Sequence, residues 1–157
     1  MTNLSNFTYD EITIGQQASY SKRISERDIQ LFAAVSGDVN PVHLDPAFAA
    51  TTQFEEPIAH GMLTGAVVSA AIALELPGPG TIYLGQTLRF RRPVKIGDEI
   101  TVHLEVTEKR DDKQFVTLDC KVINQDGKSV ATGTAEVMAP PEKMNIPRPE
   151  LPAISVG

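Results

Sequence analysis

The chain changes its hydrophobic pattern near Gly80. Before that point apolar residues recur mainly at helical spacing, whereas beyond it they alternate with polar residues. Residues 1–16 fit neither pattern and are predicted to be an irregular lead-in, and residues 17–24 are predicted to form a short strand. The order of helices first and a strand meander afterwards is typical of an α+β domain.

Three helices are predicted before Gly80. The first begins after Ser25, an N-cap followed by an acid three residues later, and ends at Gly37. A short second helix starts at Asp45-Pro46, which pairs an N-cap with a proline in the first turn. The third, from about residue 61 to residue 76, is apolar on nearly every face and is expected to be buried.

Four strands are predicted over residues 81–92, 99–109, 115–124 and 130–138. In the first three, one face carries every second residue and is apolar, as in half-buried antiparallel strands. In the first strand that face is assigned to Ile82, Leu84, Leu88 and Phe90. Residues 110–113 and 125–128 are predicted to be hairpin turns. The proline-rich tail from residue 139 is predicted to be extended, either on the surface or reaching a partner subunit.

Composition narrows the classes of function. A length of 157 residues suits one domain, and a net charge of -6 argues against generic nucleic-acid binding. No stretch approaches the length of a transmembrane helix, and the first residues lack the pattern of a signal peptide. The single cysteine cannot form an internal disulfide, which fits a reducing compartment. We therefore expect a cytoplasmic protein without a nucleic-acid or membrane partner.

The candidate chemistry lies in the run Ser36-Gly37-Asp38-Val39-Asn40-Pro41-Val42-His43 and in His60-Gly61-Met62, seventeen residues after His43. Asp38 and His43 are five residues apart and do not share a helical face, so they converge only if the segment bends. Gly37 permits a bend, and Asn40 can brace it through hydrogen bonds to the backbone. Taken alone, the two residues also fit an ordinary solvated loop.

This run resembles the signature of the MaoC-like, (R)-specific enoyl-CoA hydratases, and the resemblance extends from about residue 12 to residue 138. The other matching segments are Leu31-Phe32-Ala33, His43-Leu44-Asp45, Phe54, Pro57-Ile58-Ala59-His60-Gly61-Met62, Ile82-Tyr83-Leu84-Gly85-Gln86 and Arg92-Pro93-Val94-x-x-Gly97-Asp98. The resemblance implies a hot-dog fold, an antiparallel sheet wrapped around a long central helix. It also implies one domain over residues 1–157, a core at about 12–138, and a homodimer whose sheets pair edge to edge.

The activity that the resemblance implies is hydration of trans-2-enoyl-CoA to (R)-3-hydroxyacyl-CoA, in enzymes that link fatty-acid β-oxidation to polyhydroxyalkanoate synthesis. Asp38 would be the general base, and His43 would orient the attacking water. Gly61, at a helix N-terminus, would stabilise the thioester oxyanion through its backbone N–H. Asn40 and Ser69 would support the site, although Ser69 could instead bond to the carbonyl four residues earlier. No metal or redox cofactor is implied.

Other chemistry-bearing residues have simpler interpretations. His103 falls on the polar face of its strand, Asp45 suffices as an N-cap, and Cys120 fits a small core residue. His60 is interpreted mainly as a structural residue that positions the turn at Gly61. A metal site built from Asp38, His43, Asp45 and His60 has suitable residue types, but its spacing matches no standard zinc pattern.

A basic run lies in the first strand after Gly80, in an otherwise acidic chain. Arg89 and Arg91 are candidates for contacts with the phosphates of CoA, and an ordinary solvated strand face is the alternative. Three other functions remain open: a hot-dog acyl-CoA thioesterase, a dehydratase that runs the same reaction in reverse or on carrier-protein thioesters, and a non-catalytic acyl-CoA-binding module.

Overall fold

The computed structural model describes residues 2–157, and a five-stranded antiparallel sheet packed against one long helix dominates it. The strands are β1 Asn3–Ser5, β2 Gln17–Arg23, β3 Ile82–Phe90, β4 Glu99–Arg110, β5 Phe115–Ile123, β6 Ser129–Met138 and β7 Asn145–Pro147. The α-helices are α1 Glu26–Ser36, α2 Pro41–Leu44, α3 Pro46–Ala49 and α4 Gly61–Leu74, and Tyr9–Glu11 form a 3-10 turn. The large sheet has the order β2-β4-β5-β6-β3.

Helix α4 is the centre of the core, as its composition predicts. Its residues Leu63, Val67, Val68, Ala71 and Ile72 are buried together with the apolar faces of β4, β5 and β6. This arrangement confirms the α+β class and the hot-dog fold. Within residues 2–157, no helix is both long enough and apolar enough to cross a membrane.

The predicted signals at both ends of α1 are confirmed. Ser25 and Asp28 form a reciprocal capping box at the start of α1, and Gly37 ends that helix in the left-handed conformation, with φ of 80°. Helix α4 ends at Leu74, two residues before the predicted end at about residue 76. The residue before a proline disfavours helical geometry, so Pro77 restricts the backbone of Leu76.

The prediction of an irregular lead-in is wrong in part, because residues 3–5 form a strand and residues 9–11 a 3-10 turn. Strand β1 pairs with β7 of the tail in a small second sheet, so the tail from residue 139 folds back on its own chain. Asn6 is fully buried beside this pair. Its amide Nδ2 donates to the carbonyls of Pro79 and Glu142, and its Oδ1 accepts from the N–H of Met144. One side chain thus joins the lead-in, the loop after α4 and the tail.

The predicted apolar face of β3 is also wrong in part. Leu88 is half-buried against α4, but three of the four residues remain largely exposed: Ile82 at 52%, Leu84 at 42% and Phe90 at 48%. A register shift between Tyr83 and Gly85 interrupts the alternation along the strand. In addition, β3 is the last strand of the sheet, so one of its edges has no neighbour within the described chain.

Candidate active site

The loop after α1 positions Asp38 through short-range hydrogen bonds. The Asp38 N–H donates to Ser36 Oγ, and Asp38 Oδ1 accepts from the Asn40 N–H at 3.1 Å. Asn40 Oδ1 in turn accepts from the Val42 N–H and caps α2. Asn40 is therefore the brace that the sequence predicts, although the one-turn helix α2 that carries His43 was not foreseen.

These bonds leave Asp38 Oδ2 facing the imidazole of His43, with 4.0 Å between Oδ2 and Nε2. His43 Nδ1 lies 2.7 Å from the Ile58 carbonyl oxygen. Because a carbonyl only accepts, Nδ1 carries a proton, and the tautomer with Nδ1–H presents a lone pair at Nε2. The predicted convergence of Asp38 and His43 is thus present, with two acceptor atoms that face each other.

The 4.0 Å separation between these acceptors suits one water molecule. Two hydrogen bonds of about 2.8 Å would meet at the water oxygen at an angle of roughly 90°, near the angle between the two O–H bonds of water. Such a water donates one hydrogen to Asp38 and one to His43. Its lone pairs then point away from both residues and are free to attack a substrate.

His60 adjoins both members of the pair. Its ring stacks on that of His43 with centroids 3.8 Å apart, and its Nε2 lies 3.0 Å from the backbone oxygen of Asp38. Phe32 packs against the ring at 4.9 Å, and His60 is only 3% exposed. His60 therefore contacts both candidate residues in addition to preceding the turn at Gly61.

Gly61 begins helix α4 directly after His60, and no side-chain hydrogen bond caps this helix start in the described chain. The first N–H groups of a helix have no partner within the helix, so they can bind a developing negative charge. A methyl group at Gly61 would lie 3.1 Å from the Phe90 ring. Glycine therefore leaves space between the start of α4 and this ring that any larger residue would fill.

A cavity of about 320 Å³ adjoins the start of α4. Its lining residues include Phe54, Ile58, His60, Gly61, Phe90 and Arg91. Asp38 and His43 are not among the lining residues, but both contact His60, which is. The Asp38 side chain is 50% exposed in the single chain, whereas that of His43 is 11% exposed. The Asp38 carboxylate is therefore open to solvent and is not enclosed by the cavity.

The remaining candidate residues are spread over the fold. Ser69 lies two helical turns beyond Gly61, about 12 Å along the axis, and the hydrogen bonds found in residues 2–157 include none from its hydroxyl. Arg91 lines the cavity and donates from Nε to Thr132 Oγ1 at 3.3 Å. Arg89 is exposed and does not line the cavity. The roles of Ser69, Arg89 and Arg91 stay predictions.

Three residues set aside on sequence grounds behave as expected. His103 is exposed on β4, and Asp45 caps α3 by accepting from the N–H groups of Ala47 and Phe48. Cys120 is buried in the core, where desolvation raises the pKa of its thiol to about 11. A thiol with that pKa is protonated at neutral pH, which argues against a role as a nucleophile.

Potential metal-ligating atoms of Asp38, His43 and His60 lie within 4.8 Å of one another. The ring planes of the two histidines are only 25° from parallel, with centroids 3.8 Å apart. Nitrogen lone pairs lie in the ring planes, so those of two stacked rings do not converge on one ion at the usual distance of about 2.0–2.1 Å. This geometry disfavours a three-ligand metal site, and the expectation of no metal stays a prediction.

Comparison with known proteins agrees with this geometry. Residues 10–126 match the MaoC-like domain family. The (R)-specific enoyl-CoA hydratase of Aeromonas caviae is 50% identical over 129 residues, which cover 82% of this chain and 96% of the relative. The enzyme of the same name from Rhodospirillum rubrum is 47% identical over 84% of this chain and 91% of the relative.

Solved structures show the same relationship. The unliganded R-hydratase PhaJ1 from Pseudomonas aeruginosa is 62% identical, with a TM-score of 0.95 over 99% of this chain and 100% of that chain. The A. caviae (R)-hydratase involved in PHA biosynthesis has a TM-score of 0.80 and 50% identity, over 82% of this chain and 98% of that chain. The chain belongs to the MaoC-like domain family.

Proposed function

We propose that this protein is an (R)-specific enoyl-CoA hydratase, a hydro-lyase that adds water to trans-2-enoyl-CoA and forms (R)-3-hydroxyacyl-CoA. The observation that carries the proposal is the facing pair of acceptors, Asp38 Oδ2 and His43 Nε2, 4.0 Å apart. Two acceptors at this separation hold a water with its lone pairs exposed, which is what a hydration reaction requires. The R configuration rests on similarity to the named (R)-specific relatives.

The proposed mechanism uses only side chains and backbone of this chain. His43 orients the water, and Asp38 takes its proton as the water oxygen bonds to C3 of the enoyl thioester. The electron pair of the C2–C3 double bond moves towards the thioester oxygen, where the N–H of Gly61 stabilises the negative charge. Asp38 then returns the proton to C2, so no metal or redox cofactor is needed.

The competing functions predict different products. A dehydratase is the same site working in reverse, and equilibrium concentrations rather than the site set the direction. A thioesterase would release free CoA thiol. A binding module would neither lower the enoyl absorbance nor release thiol. With crotonyl-CoA, we expect loss of the enoyl absorbance without thiol release, and release of thiol in step with that loss would contradict the proposal.

We further propose that the enzyme supplies (R)-3-hydroxyacyl-CoA for polyhydroxyalkanoate synthesis in the cytoplasm. The similarity to the A. caviae hydratase, described as involved in PHA biosynthesis, supports the first part. The single cysteine, Cys120, is buried and forms no disulfide. This fits the proposed location in the cytoplasm, which is a reducing compartment.

We propose that two copies of the chain pair through β3. Strand β3 is the terminal strand of the sheet and exposes Ile82, Tyr83 and Leu84 in sequence. A long apolar edge strand is unfavourable in water unless another strand covers it. Antiparallel pairing of β3 with β3 of a second copy would cover this edge and join the two sheets.

Leu84→Lys should weaken this homodimer because it introduces a charge into the apolar edge. Sedimentation should show a shift towards monomer at concentrations where the wild type is dimeric. The matched control is Leu151→Lys, since Leu151 is 94% exposed in the tail. A Leu84→Lys protein that is folded and as dimeric as the wild type would place the interface elsewhere.

We propose that Arg91 contacts the phosphates of CoA, because it is a cation on the rim of the cavity beside Gly61. Reversal to Arg91→Glu should raise KM for crotonyl-CoA about fivefold, equivalent to roughly 1 kcal/mol for an exposed charge contact. The phosphates are far from the reacting carbons, so kcat should change little. Added salt should reduce the difference, since it screens exposed charges.

Arg89→Glu is the matched comparison, because Arg89 lies two residues earlier, within β3, but does not line the cavity. We expect a smaller rise in KM for this variant. A pantetheine thioester that lacks the nucleotide should respond to neither substitution. Unchanged KM for crotonyl-CoA in Arg91→Glu at low salt would mean that the phosphates bind elsewhere.

A further inference from the structure

The segment 58–61 contacts every group that the proposed mechanism uses. The Ile58 carbonyl fixes the tautomer of His43, the His60 ring touches both His43 and Asp38, and Gly61 offers the free N–H. The segment is itself anchored to its surroundings. The Ile58 N–H donates to Val42 at 3.3 Å, and the Ala59 N–H donates to Val94 at 2.7 Å. A displacement of this segment would therefore move the Ile58 carbonyl, the His60 ring and the Gly61 N–H together.

Within this segment, the His60 ring is held by stacking on one face and by a hydrogen bond at one edge. The face lies against His43, with Phe32 packed nearby. The Nε2–H edge donates to the Asp38 carbonyl at 3.0 Å, which leaves the lone pair at Nδ1. That Nδ1 atom is buried and has no hydrogen-bond partner in the described chain.

An unpaired buried nitrogen is costly, so stability alone does not account for a histidine at this position. An apolar ring of similar shape would fill the same space without an unpaired atom. What such a ring could not do is donate a hydrogen bond to the backbone of Asp38. The side chain at this position must therefore combine a flat ring for His43 with one N–H donor for Asp38.

We propose that His60 is a positioning residue for the hydration reaction, which holds the backbone of Asp38 and the ring plane of His43 in the geometry that binds the attacking water. This inference rests on the proposed function and deepens it. His60 does not exchange a proton with substrate or water. His60 affects the reaction only by holding Asp38 and His43 in place. Its contacts with the Asp38 backbone and the His43 ring fix the distance between the two side chains.

Two substitutions separate the two contacts of His60. His60→Phe keeps a ring against His43 but removes the donor to Asp38, and should lower kcat about 10- to 100-fold, the scale of a displacement near 1 Å. KM and the thermal midpoint should stay close to wild type, because Phe removes the unpaired nitrogen and fills the same space. His60→Gln places an amide N–H near the position of Nε2 and should retain more activity than His60→Phe. His103→Phe, at an exposed position of β4, is the matched control and should be fully active.

The decisive measurement is a double-mutant cycle with His43→Ala. If His60 acts through the pair, His43→Ala with His60→Phe should be no slower than His43→Ala alone. The pH profile of kcat/KM in His60→Phe should keep the shape of the wild-type profile, because no proton-transfer group is lost. Wild-type turnover of crotonyl-CoA and its loss in His43→Ala test the proposed function separately.

Four results would overturn the positioning role. The first is an unchanged kcat in folded His60→Phe, and the second is a loss that multiplies with that of His43→Ala. The third is a pH profile of kcat/KM that differs in shape from that of the wild type, and the fourth is a His60→Gln variant no more active than His60→Phe. If His60→Phe does not fold, the cycle is run with His60→Gln. That variant should be slower than wild type by up to about tenfold, and its loss should vanish in the His43→Ala background. A fully active His60→Gln, or a loss that multiplies, would then contradict the proposal.

Discussion

Asp38→Asn should lower kcat for crotonyl-CoA by about 10²–10⁴-fold, the usual contribution of a general base. The amide keeps the shape of the carboxylate, and its oxygen can still accept the bond from the Asn40 N–H that holds the side chain in place. What it loses is the ability to take a proton from the bound water and return it to C2. The fall in kcat should therefore occur without a change in the thermal midpoint.

The control for this substitution is Asp45→Asn, the same chemical change seven residues away. Asp45 caps α3, and asparagine is an equally good N-cap, so this variant should keep both stability and activity. Near wild-type turnover by folded Asp38→Asn would show that Asp38 is not the base. Equal losses in Asp38→Asn and Asp45→Asn would mean that the loop, not the carboxylate, limits the rate.

His43→Ala should lower kcat on a similar scale, about 10²-fold or more, because it removes one of the two acceptors that orient the water. The substitution also removes the hydrogen bond to the Ile58 carbonyl. The double variant Asp38→Asn with His43→Ala should be little slower than the slower single variant, because both residues act on one water molecule.

His103→Ala provides the comparison, since it deletes an imidazole from the exposed outer face of β4. This variant should retain full activity. Losses for Asp38→Asn and His43→Ala that multiply in the double variant would indicate independent roles. That result would rule out the shared water between Oδ2 and Nε2.

Local signals in the sequence predicted much of the fold. The alternation in β4 and β5 identified their buried faces, because both strands lie inside the sheet and each has one face on the core. The capping box at Ser25 and the glycine at Gly37 gave both ends of α1, because caps depend on residues within a few positions. The family resemblance predicts Asp38 and His43 as the catalytic pair, and the structure places their side chains face to face.

Features that depend on distant residues were not predictable in the same way. His60 stacks on a histidine seventeen residues earlier and bonds to a backbone atom, so no side-chain pattern marks the contact. The register shift in β3 is set by pairing with β6 across the sheet. Asn6 joins the lead-in to two other segments through two backbone carbonyls, which any residue type supplies, and one N–H, which every residue except proline supplies.

The configuration of the hydration product tests the central claim most directly. Crotonyl-CoA is incubated with the enzyme until the enoyl absorbance has fallen without release of thiol, and the product is then offered to an S-specific 3-hydroxyacyl-CoA dehydrogenase with NAD⁺. Product made by an S-specific hydratase serves as the positive control for the coupling enzyme. The account predicts no NADH from the product of this protein, because that product is (R)-3-hydroxybutyryl-CoA. Formation of NADH in proportion to the absorbance lost would contradict it.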